Sequence, residues 1–522
     1  MNKSMKQLTQ FAACAVAALS VVACSSEDTA QQDNAKQNTA KGVATFDGSQ
    51  PGNDTRALTR TTATYTLGGD AKVFWTSADK IFVQDDANTF HQSNAANLYN
   101  PSNKAKAIFS LASGSFTLNN REVRYTGENG TDANTVTIAS TQTQTTANDF
   151  SHLGTSGDCG TATATGSNGN YTFTLNHKAS YLCFVPRCMN TDLGPNIKLT
   201  RIKVTANQPI AGKYDFSTGS LVQKAGETYS NTVTLNTSDF SLNTTSSSLA
   251  TNGAYMVVAP GTYNFTITYT IKDPATNVEG DIVKTVSSYN CQEGKINDIT
   301  AWIDKDITKY TPQYYMWDAR KSYWDATGVV QPKLNDTTGN GAATGPSDSR
   351  WFNTAGAPNV ASFSAADMPN ANLMVWYCMK GQPHWEADIL WTVFGHLYKG
   401  GMWYLKKAKI AAMNGKSVND LNVLSPDGYD RRTDLSMVAS TYAVYNEAPG
   451  AIIQSAPSNK NDYFFLPPLG YYIGNKLVLL GEHGVFWSSN SQTFGYHMTI
   501  GKVYSRVNGC EQSLGFPKWT FE

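Results

Sequence analysis

The stretch Tyr263-Asn264-Phe265-Thr266-Ile267-Thr268-Tyr269 indicates the structural class of this chain. Apolar and polar residues alternate along it, which is the period of a β-strand with one buried face. A second apolar run, Tyr255-Met256-Val257-Val258, precedes it, and the turn Ala259-Pro260-Gly261 separates the two. Aromatic and β-branched residues favour strands, so the pair predicts two adjacent strands of a sheet.

Further strands are predicted towards the N-terminus. Residues 171–175 and 197–204 alternate between apolar and polar side chains, and residues 181–185 form a continuous apolar run typical of a core strand. Residues 141–170 are rich in Thr, Ser and Gly and predict loop and sheet edge. No helix longer than two turns is expected before residue 310, and two β-sandwich domains are the predicted architecture of this part.

The aromatic composition changes near residues 304–312. Of the eleven tryptophans, Trp75 and Trp302 precede residue 310 and the other nine follow it. A chain of 522 residues is long enough for several domains. The predicted divisions are a first β domain over residues 43–190, a second over 191–306 and an aromatic-rich C-terminal domain over 307–522.

The first residues predict export. Lys3 and Lys6 precede a short apolar stretch, residues 11–22, that is too short to span a bilayer. The stretch ends in Val21-Val22-Ala23-Cys24, which resembles the lipobox of bacterial lipoproteins, whose cysteine is acylated. The prediction is a signal peptide over residues 1–23, lipidation of Cys24 and a polar tether over 24–42. The alternative is an ordinary signal peptide with an incidental cysteine.

Charge and cysteine content exclude some functions. Lys+Arg and Asp+Glu number 41 each, so no nucleic-acid partner is expected. Six cysteines follow Cys24, and they can form disulfides or remain buried thiols. Because no Cys-x-x-Cys pair occurs, no cysteine zinc site is expected, and no cofactor is predicted.

Five motifs resemble the fimbrillin family of type V pilins. They cover about residues 42–304 in the expected order: Phe74-Trp75-Thr76-Ser77-Ala78-Asp79-Lys80-Ile81, Leu175-Asn176-His177-Lys178-Ala179, Arg201–Val204 with Ile210–Tyr214, Met256–Gly261 and Gly294–Ile299. The resemblance implies a two-domain β pilin that assembles by donor-strand exchange. In that family, cleavage after an arginine removes the first strand, and a strand of a neighbouring fimbrial subunit fills the groove.

This chain has the pieces that such an exchange requires. Val43-Ala44-Thr45-Phe46 is a short alternating strand, and Arg56 and Arg60 follow it in a polar, Gly- and Pro-containing segment. Both arginines are candidate sites of proteolytic maturation. The alternative is that they are ordinary solvated residues.

The end of the chain resembles a second family. Phe465–Tyr471 and Gly484–Ser489 match the "F-L-P-x-x-G-Y" and "G-x-x-W-S-S" patterns of the FISUMP domain, whose fold is similar to C-type lectins. The match covers about residues 462–505, and the preceding part departs from that domain. It implies an α+β, lectin-like C-terminal domain in which Trp487 is a core residue.

Candidate ligand contacts in this region are aromatic. Trp385, Trp391, Trp403 and Tyr404 offer flat faces that can stack on sugars or anchor a protein partner. The alternation His384-x-Glu386-x-Asp388 could bind a metal or supply a pair of glycosidase carboxylates, but a fourth metal ligand at a known spacing is missing. Neither a catalytic nor a metal site is predicted.

Together, these patterns predict a mainly β protein and a non-enzymatic role. The expected function is that of a fimbrial tip adhesin. The protein is expected to be an outer membrane lipoprotein at first and then to be processed into a fimbrium at the cell surface. Its expected partners are other fimbrial subunits and a host or microbial glycan or protein. The alternative is a lipid-anchored surface lipoprotein or pilus anchor that binds glycan or protein without polymerising. A surface glycan-degrading enzyme is a third, less favoured class.

Overall fold

The computed structural model describes residues 43–50, 65–69, 74–100, 103–354, 359–433, 443–445 and 452–522. Strands make up 43% of the described residues and helices 8%, which confirms the predicted mainly β fold. Within these ranges, no helix has the length and apolar character needed to cross a membrane. The predicted signal peptide, Cys24 and the tether up to residue 42 lie outside the described residues.

The elements up to residue 302 are mostly strands. The first twelve strands and one short helix are β1 (Ala44–Ser49), β2 (Phe82–Gln84), β3 (Phe90–Gln92), β4 (Asn97–Asn100), β5 (Asn103–Leu111), β6 (Arg121–Tyr125), β7 (Thr135–Ile138), β8 (Thr141–Gln144), α1 (Leu153–Ser156), β9 (Gly160–Ser167), β10 (Asn170–Thr174), β11 (Asn176–His177) and β12 (Ser180–Arg187). A 3-10 turn (Gly194–Asn196) is followed by β13 (Lys198–Ala206), β14 (Ala211–Asp215), β15 (Tyr229–Ser230), β16 (Thr232–Ser241), α2 (Leu249–Asn252), β17 (Ala254–Val258), β18 (Gly261–Asp273), β19 (Val278–Cys291) and β20 (Ile296–Trp302).

The elements from residue 308 onward are shorter and include the longest helix described. They are β21 (Thr308–Tyr310), β22 (Tyr314–Tyr315), β23 (Asn359–Val360), α3 (Ala371–Lys380), β24 (His384–Trp385), β25 (Leu390–Val393), β26 (His396–Lys399), β27 (Met402–Leu405), α4 (Lys407–Met413), α5 (Asp420–Val423), β28 (Ala443–Tyr445), a 3-10 turn (Lys460–Asp462), β29 (Tyr463–Leu466), β30 (Leu469–Ile473), β31 (Lys476–Leu480), β32 (Gly484–Ser491), β33 (Gly495–Gly501), β34 (Tyr504–Cys510) and β35 (Phe516–Pro517).

The first strand of the described residues, β1, is an interior strand of the first sheet. The strand order of this sheet is β3-β2-β6-β9-β10-β1-β5-β4, and β11 pairs with β9. The interpretation of residues 141–170 as loop and edge was wrong for β9, which is an interior strand of this sheet. Thr and Ser tolerate strand geometry when partner strands satisfy the backbone, and β9 has such a partner on each side, β10 and β6.

The next sheets combine strands from both predicted β domains. The sheet β19-β18-β13-β16-β8 contains the predicted strand 263–269 within β18, and β12 lies between β17 and β20. β8 pairs with β16, and β7 pairs with β14. Each pair joins a strand before residue 190 to a strand after residue 191, so the sheets do not follow the predicted domain boundary. The largest buried core includes residues from both sides of that division.

The residues after 307 form several small sheets around a buried helix. The largest sheet has the order β28-β34-β33-β32-β30-β31, with β23 paired to β32. The side chain of Asn370 caps α3 by accepting a hydrogen bond from the Leu373 N–H at 3.0 Å. Residues 371–378 of α3 are all buried, so the helix is enclosed rather than lying on the surface.

The six described cysteines are free thiols. Five of them are buried: Cys159, Cys183, Cys188, Cys291 and Cys378. Burial raises the pKa of the Cys188 thiol to about 12, which keeps it protonated and unreactive at neutral pH.

Candidate functional site

The candidate assembly site is the slot that β1 occupies in the first sheet. β1 runs parallel to β10 on one side and antiparallel to β5 on the other. Phe46 lies opposite Tyr171 and Phe109, and Gly48 lies opposite Phe173 and Ala107. A strand at this position satisfies backbone groups on two neighbours, so its loss would leave two unpaired strand edges.

The two faces of β1 differ in polarity. Ala44, Phe46 and Gly48 point inward and are buried, while Thr45, Asp47 and Ser49 point outward and are partly exposed. This period of two follows from the pleat of the strand and the sequence Ala-Thr-Phe-Asp-Gly-Ser. The short alternating strand predicted from residue 43 is therefore present, and its apolar residues belong to the core of the sheet.

The main apolar pocket of the slot holds Phe46. Its ring stacks on Tyr171 with centroids 4.7 Å apart and planes 6° apart. Phe116 meets it edge-on at 5.6 Å. Phe46 is completely buried, and burial of such a ring contributes about 2–3 kcal/mol.

A second position in the slot admits no side chain. A Cβ added to Gly48 would lie 2.5 Å from the ring of Phe173 and 3.0 Å from that of Phe109. The indole N–H of Trp75 donates to the Gly48 carbonyl at 3.2 Å. Three aromatic side chains therefore contact this one residue closely.

The Trp75–Ile81 motif has a structural role beside the slot. Trp75 and Ile81 are buried in the core of the sheet. The Asp79 carboxylate accepts hydrogen bonds from the Thr76 N–H at 2.6 Å and from the Tyr125 hydroxyl at 2.7 Å, which fixes the turn. Burial raises the pKa of Asp79 to about 6 despite these hydrogen bonds.

A buried polar network closes the end of the slot. Gln50, the first residue after β1, has its Oε1 2.9 Å from Nε2 of His177. Nδ1 of His177 lies 2.8 Å from Oδ1 of Asp158, which also accepts a hydrogen bond from the Tyr181 hydroxyl. Gln50, His177, Asp158 and Tyr181 are all buried, so each depends on the others for hydrogen bonding. The resemblance to fimbrillins included His177 in a motif, but no local pattern in the sequence indicates that Gln50 is its partner.

The predicted cleavage positions come shortly after Gln50 in the sequence. Arg56 and Arg60 lie in residues 51–64, outside the described residues. The described chain resumes at Tyr65, whose hydroxyl donates to Asp298 at 2.6 Å. Tyr65 belongs to the large core that contains β12 and β18, not to the core of the first sheet.

Three of the four predicted aromatic contacts are core residues. Trp385 is 5% exposed, Trp391 1% and Tyr404 0%. The Trp391 N–H donates to the Gly400 carbonyl at 2.8 Å, and the Tyr404 hydroxyl donates to Ser505 at 2.6 Å. The expectation of exposed faces is corrected for these residues, because neighbouring side chains cover them.

Trp403 is half-buried and forms part of a polar cluster. Its N–H donates to Glu386 at 2.8 Å, and the Lys460 ammonium lies 5.0 Å from its ring centre. Lys460 also bonds Glu386 at 2.8 Å. Glu386 is therefore engaged by a cation and an indole, while His384 bonds the Ser455 carbonyl at 3.0 Å. Across the part of the chain that the structure describes, no group of three or more His, Cys, Asp or Glu side chains could hold a metal ion.

A cleft near the start of the C-terminal region was missed by the sequence reasoning. It has a volume of about 500 Å³ and is lined by residues 312–315, 320–322, 324, 325 and 331. Tyr315 and Trp324 supply aromatic surface, and Arg320, Lys321 and Asp325 supply charges. The aromatic and charged runs 314–320 and 323–325 were visible in the sequence, but their shared cleft was not.

No family model and no curated protein matches the chain. Among solved structures it is similar to a candidate cell adhesion protein from Bacteroides ovatus, at 15% identity and a TM-score of 0.31, over 50% of this chain and 93% of that one. A fimbrial protein from the same species matches at 10% identity and a TM-score of 0.22, over 92% and 99%. The fimbrial anchor protein Mfa2 from Porphyromonas gingivalis matches at 9% identity and a TM-score of 0.20, over 49% and 88%. At these values the matches assign neither a family nor a function to this chain.

Proposed function

We propose that the chain is a fimbrial subunit that exchanges its first strand for a strand of a neighbouring subunit. The observation that supports this most directly is the position of β1, which lies between β10 and β5 inside its sheet and runs parallel to β10. In the chain, β1 is followed at once by the segment that contains Arg56 and Arg60. A single cut in that segment separates β1 covalently from the rest of the described chain.

The physical basis of the exchange is strand addition. After cleavage, β1 is held by backbone hydrogen bonds, by the stack of Phe46 on Tyr171 and by the Gln50 network. When it leaves, the edges of β5 and β10 and an aromatic pocket become available to another extended segment. Another chain can supply the same backbone hydrogen bonds, so the exchange can be nearly balanced in free energy.

Residues 307–522 support a terminal position in the fimbria. The resemblance to fimbrillins ends near residue 304, and a region with its own sheets and a buried helix follows. In this proposal the region is the lectin-like adhesive module, and lipidated Cys24 holds the precursor at the outer membrane. Cleavage then releases the subunit from its lipid for assembly at the cell surface.

The cleft near Trp324 is the favoured ligand site of the module. An aromatic face beside cations and a carboxylate can bind the ring and hydroxyl groups of a glycan or the side chains of a protein. Trp403 is a further contact candidate because part of its side chain is exposed. Replacement of both Arg320 and Lys321 by Ala is expected to weaken binding on a glycan or matrix-protein array, with Lys416→Ala as the distant control.

A pilus anchor that retains its first strand is the second candidate. The observation that favours it is the buried network at Gln50, because removal of β1 takes a hydrogen-bond partner from His177. An anchor would keep both β1 and its lipid.

The mature N-terminus distinguishes the two candidates. Mass spectrometry of the protein from the producing cells is expected to find Ala57 or Thr61 at the N-terminus if the subunit is processed for exchange. Acylated Cys24 in the assembled protein would identify the anchor. A chain that is cleaved but never found in a polymer would contradict the fimbrial proposal.

A further inference from the structure

We infer that the slot of β1 selects the sequence of the strand that replaces it, and this inference rests on the proposed strand exchange. The selected pattern, read in the N-to-C direction, is an aromatic residue, any residue, glycine, any residue and a side-chain amide. In the present occupant these positions are Phe46, Gly48 and Gln50. The partner is therefore an extended segment of defined chemistry.

The aromatic position is selected by fit. The pocket is bounded by Tyr171, which stacks on the present ring at 4.7 Å, and by Phe116 at 5.6 Å. An aliphatic side chain would fill only part of the space between these two rings, and an alanine would leave a cavity. The pocket therefore favours a flat ring.

The glycine position is selected by exclusion. The rings of Phe173 on β10 and Phe109 on β5 approach the Gly48 Cα from both neighbouring strands. The Cβ of a side chain at this position would lie 2.5 Å from Phe173, which is much closer than van der Waals contact allows, so either the ring or the incoming strand must move. Most β-strand sequences carry a side chain at every inward position and would be rejected here.

The amide position is selected by hydrogen bonding. Nδ1 of His177 is engaged by Oδ1 of Asp158 at 2.8 Å, so Nε2 is the ring nitrogen that is left to bond a strand in the slot. Nε2 of His177 then faces the amide of Gln50, which can accept through its oxygen or donate through its nitrogen. An apolar side chain at this position would leave a buried imidazole nitrogen without a partner.

The order of the three positions also fixes the direction of the incoming strand. Phe46 lies opposite Tyr171 and Gly48 opposite Phe173 in the parallel pairing with β10. A strand in the opposite direction would place its amide near Phe46's pocket and its ring near His177. The slot therefore accepts one direction.

The pattern is rare in the chain itself. Between residues 65 and 522 it recurs once, at Tyr125-Thr126-Gly127-Glu128-Asn129. Tyr125 is already the last residue of β6, a paired interior strand of the same sheet. A second copy that has itself lost residues 43–56 therefore offers no free segment with this pattern, and in this proposal the donor is a subunit of different sequence.

Peptide binding tests the selection. The purified chain is cleaved with trypsin, β1 is released in mild denaturant, and fluorescent peptides are added on return to native conditions. The probe is the sequence of residues 43–50, compared with variants carrying Gly48→Val, Gln50→Leu or, as the outward-facing control, Asp47→Asn. We expect the control to bind as the probe does and the Gly48→Val and Gln50→Leu peptides to bind roughly tenfold or more weakly.

A variant of the protein itself tests whether the weaker binding of the Gln50→Leu peptide is due to His177. In a His177→Leu chain, the penalty of the Gln50→Leu peptide is expected to disappear, because the imidazole that required a partner is gone. Equal binding of all peptides by the unmodified chain would overturn the selection but leave strand exchange standing. If even the unmodified peptide fails to bind, strand exchange at this slot is overturned, and the selection with it.

Discussion

The ring of Phe46 lies against the ring of Tyr171, 125 residues later in the chain, with planes only 6° apart. This contact joins the first described strand to the middle of its sheet. It makes the sheet's stability depend on a strand that one cut in residues 51–64 would separate from the chain.

Removal of the Phe46 ring is expected to destabilise the first sheet. Phe46→Ala should lower the free energy of unfolding by about 3–5 kcal/mol, because the ring is completely buried and leaves a cavity. Urea unfolding followed by tryptophan fluorescence measures the change. Val43→Ala is the control, since Val43 is 55% exposed, and it should change the stability by less than about 0.5 kcal/mol.

A methyl group at Gly48 is expected to be costly in the intact chain. Gly48→Ala should lower the free energy of unfolding by about 1–3 kcal/mol, since the new Cβ meets Phe173 and Phe109. Gly345→Ala is a matched control because a Cβ there has no heavy atom within 4 Å. Equal thermal stability of the two variants would contradict the tight fit at Gly48.

The stability contributed by Asp79 is expected to fall as the pH rises. The pKa of Asp79 is about 6 in the folded protein because of burial, and an unfolded Asp titrates near its ordinary value of 3.8. Between these values the folded state keeps a proton that the unfolded state has released, so unfolding becomes easier with increasing pH. The full effect corresponds to about 3 kcal/mol.

Asp79→Asn isolates this effect from the other titrating groups. The free energy of unfolding of the unmodified protein, taken relative to the variant, should decrease between pH 4 and pH 7. Chemical unfolding at several pH values measures it. A difference that stays constant over this range would show that the carboxyl group titrates normally in the fold.

In the C-terminal region, replacement of a buried tryptophan is expected to cost more stability than replacement of a half-buried one. Trp391→Ala should cost about 3–5 kcal/mol, because the ring is 1% exposed and stacks on Tyr398 at 5.0 Å. Trp403→Ala should cost less, since Trp403 is half-buried. Thermal unfolding of both variants tests the order, and the reverse order would contradict the assignment of Trp391 to the core.

The buried cysteines are expected to resist modification. In the native protein, Cys159, Cys183, Cys188, Cys291 and Cys378 should not react with a thiol reagent at pH 8, because burial both blocks access and raises their pKa. In denaturant all five should react. Mass spectrometry of alkylated peptides identifies each site, and a disulfide between any two of them would contradict this prediction.

Local sequence determined much of the strand content of this protein. The alternation over residues 263–269 became the middle of β18, and the apolar run 181–185 lies within β12. The short alternating sequence from residue 43 likewise became β1. Such patterns are local because successive side chains of a strand point to opposite faces, so burial of one face is visible within a few residues.

Only the tertiary structure decided which residues meet. Neither the exclusion of a side chain at Gly48 nor the pairing of Gln50 with His177 can be inferred from local sequence, since their partners lie more than 50 residues away. The burial of Trp391 and the interior position of β9 likewise depend on which other segments of the chain cover them. Strand order and ring packing depend on contacts between different segments of the chain. The type of a residue does not indicate whether another segment covers its side chain.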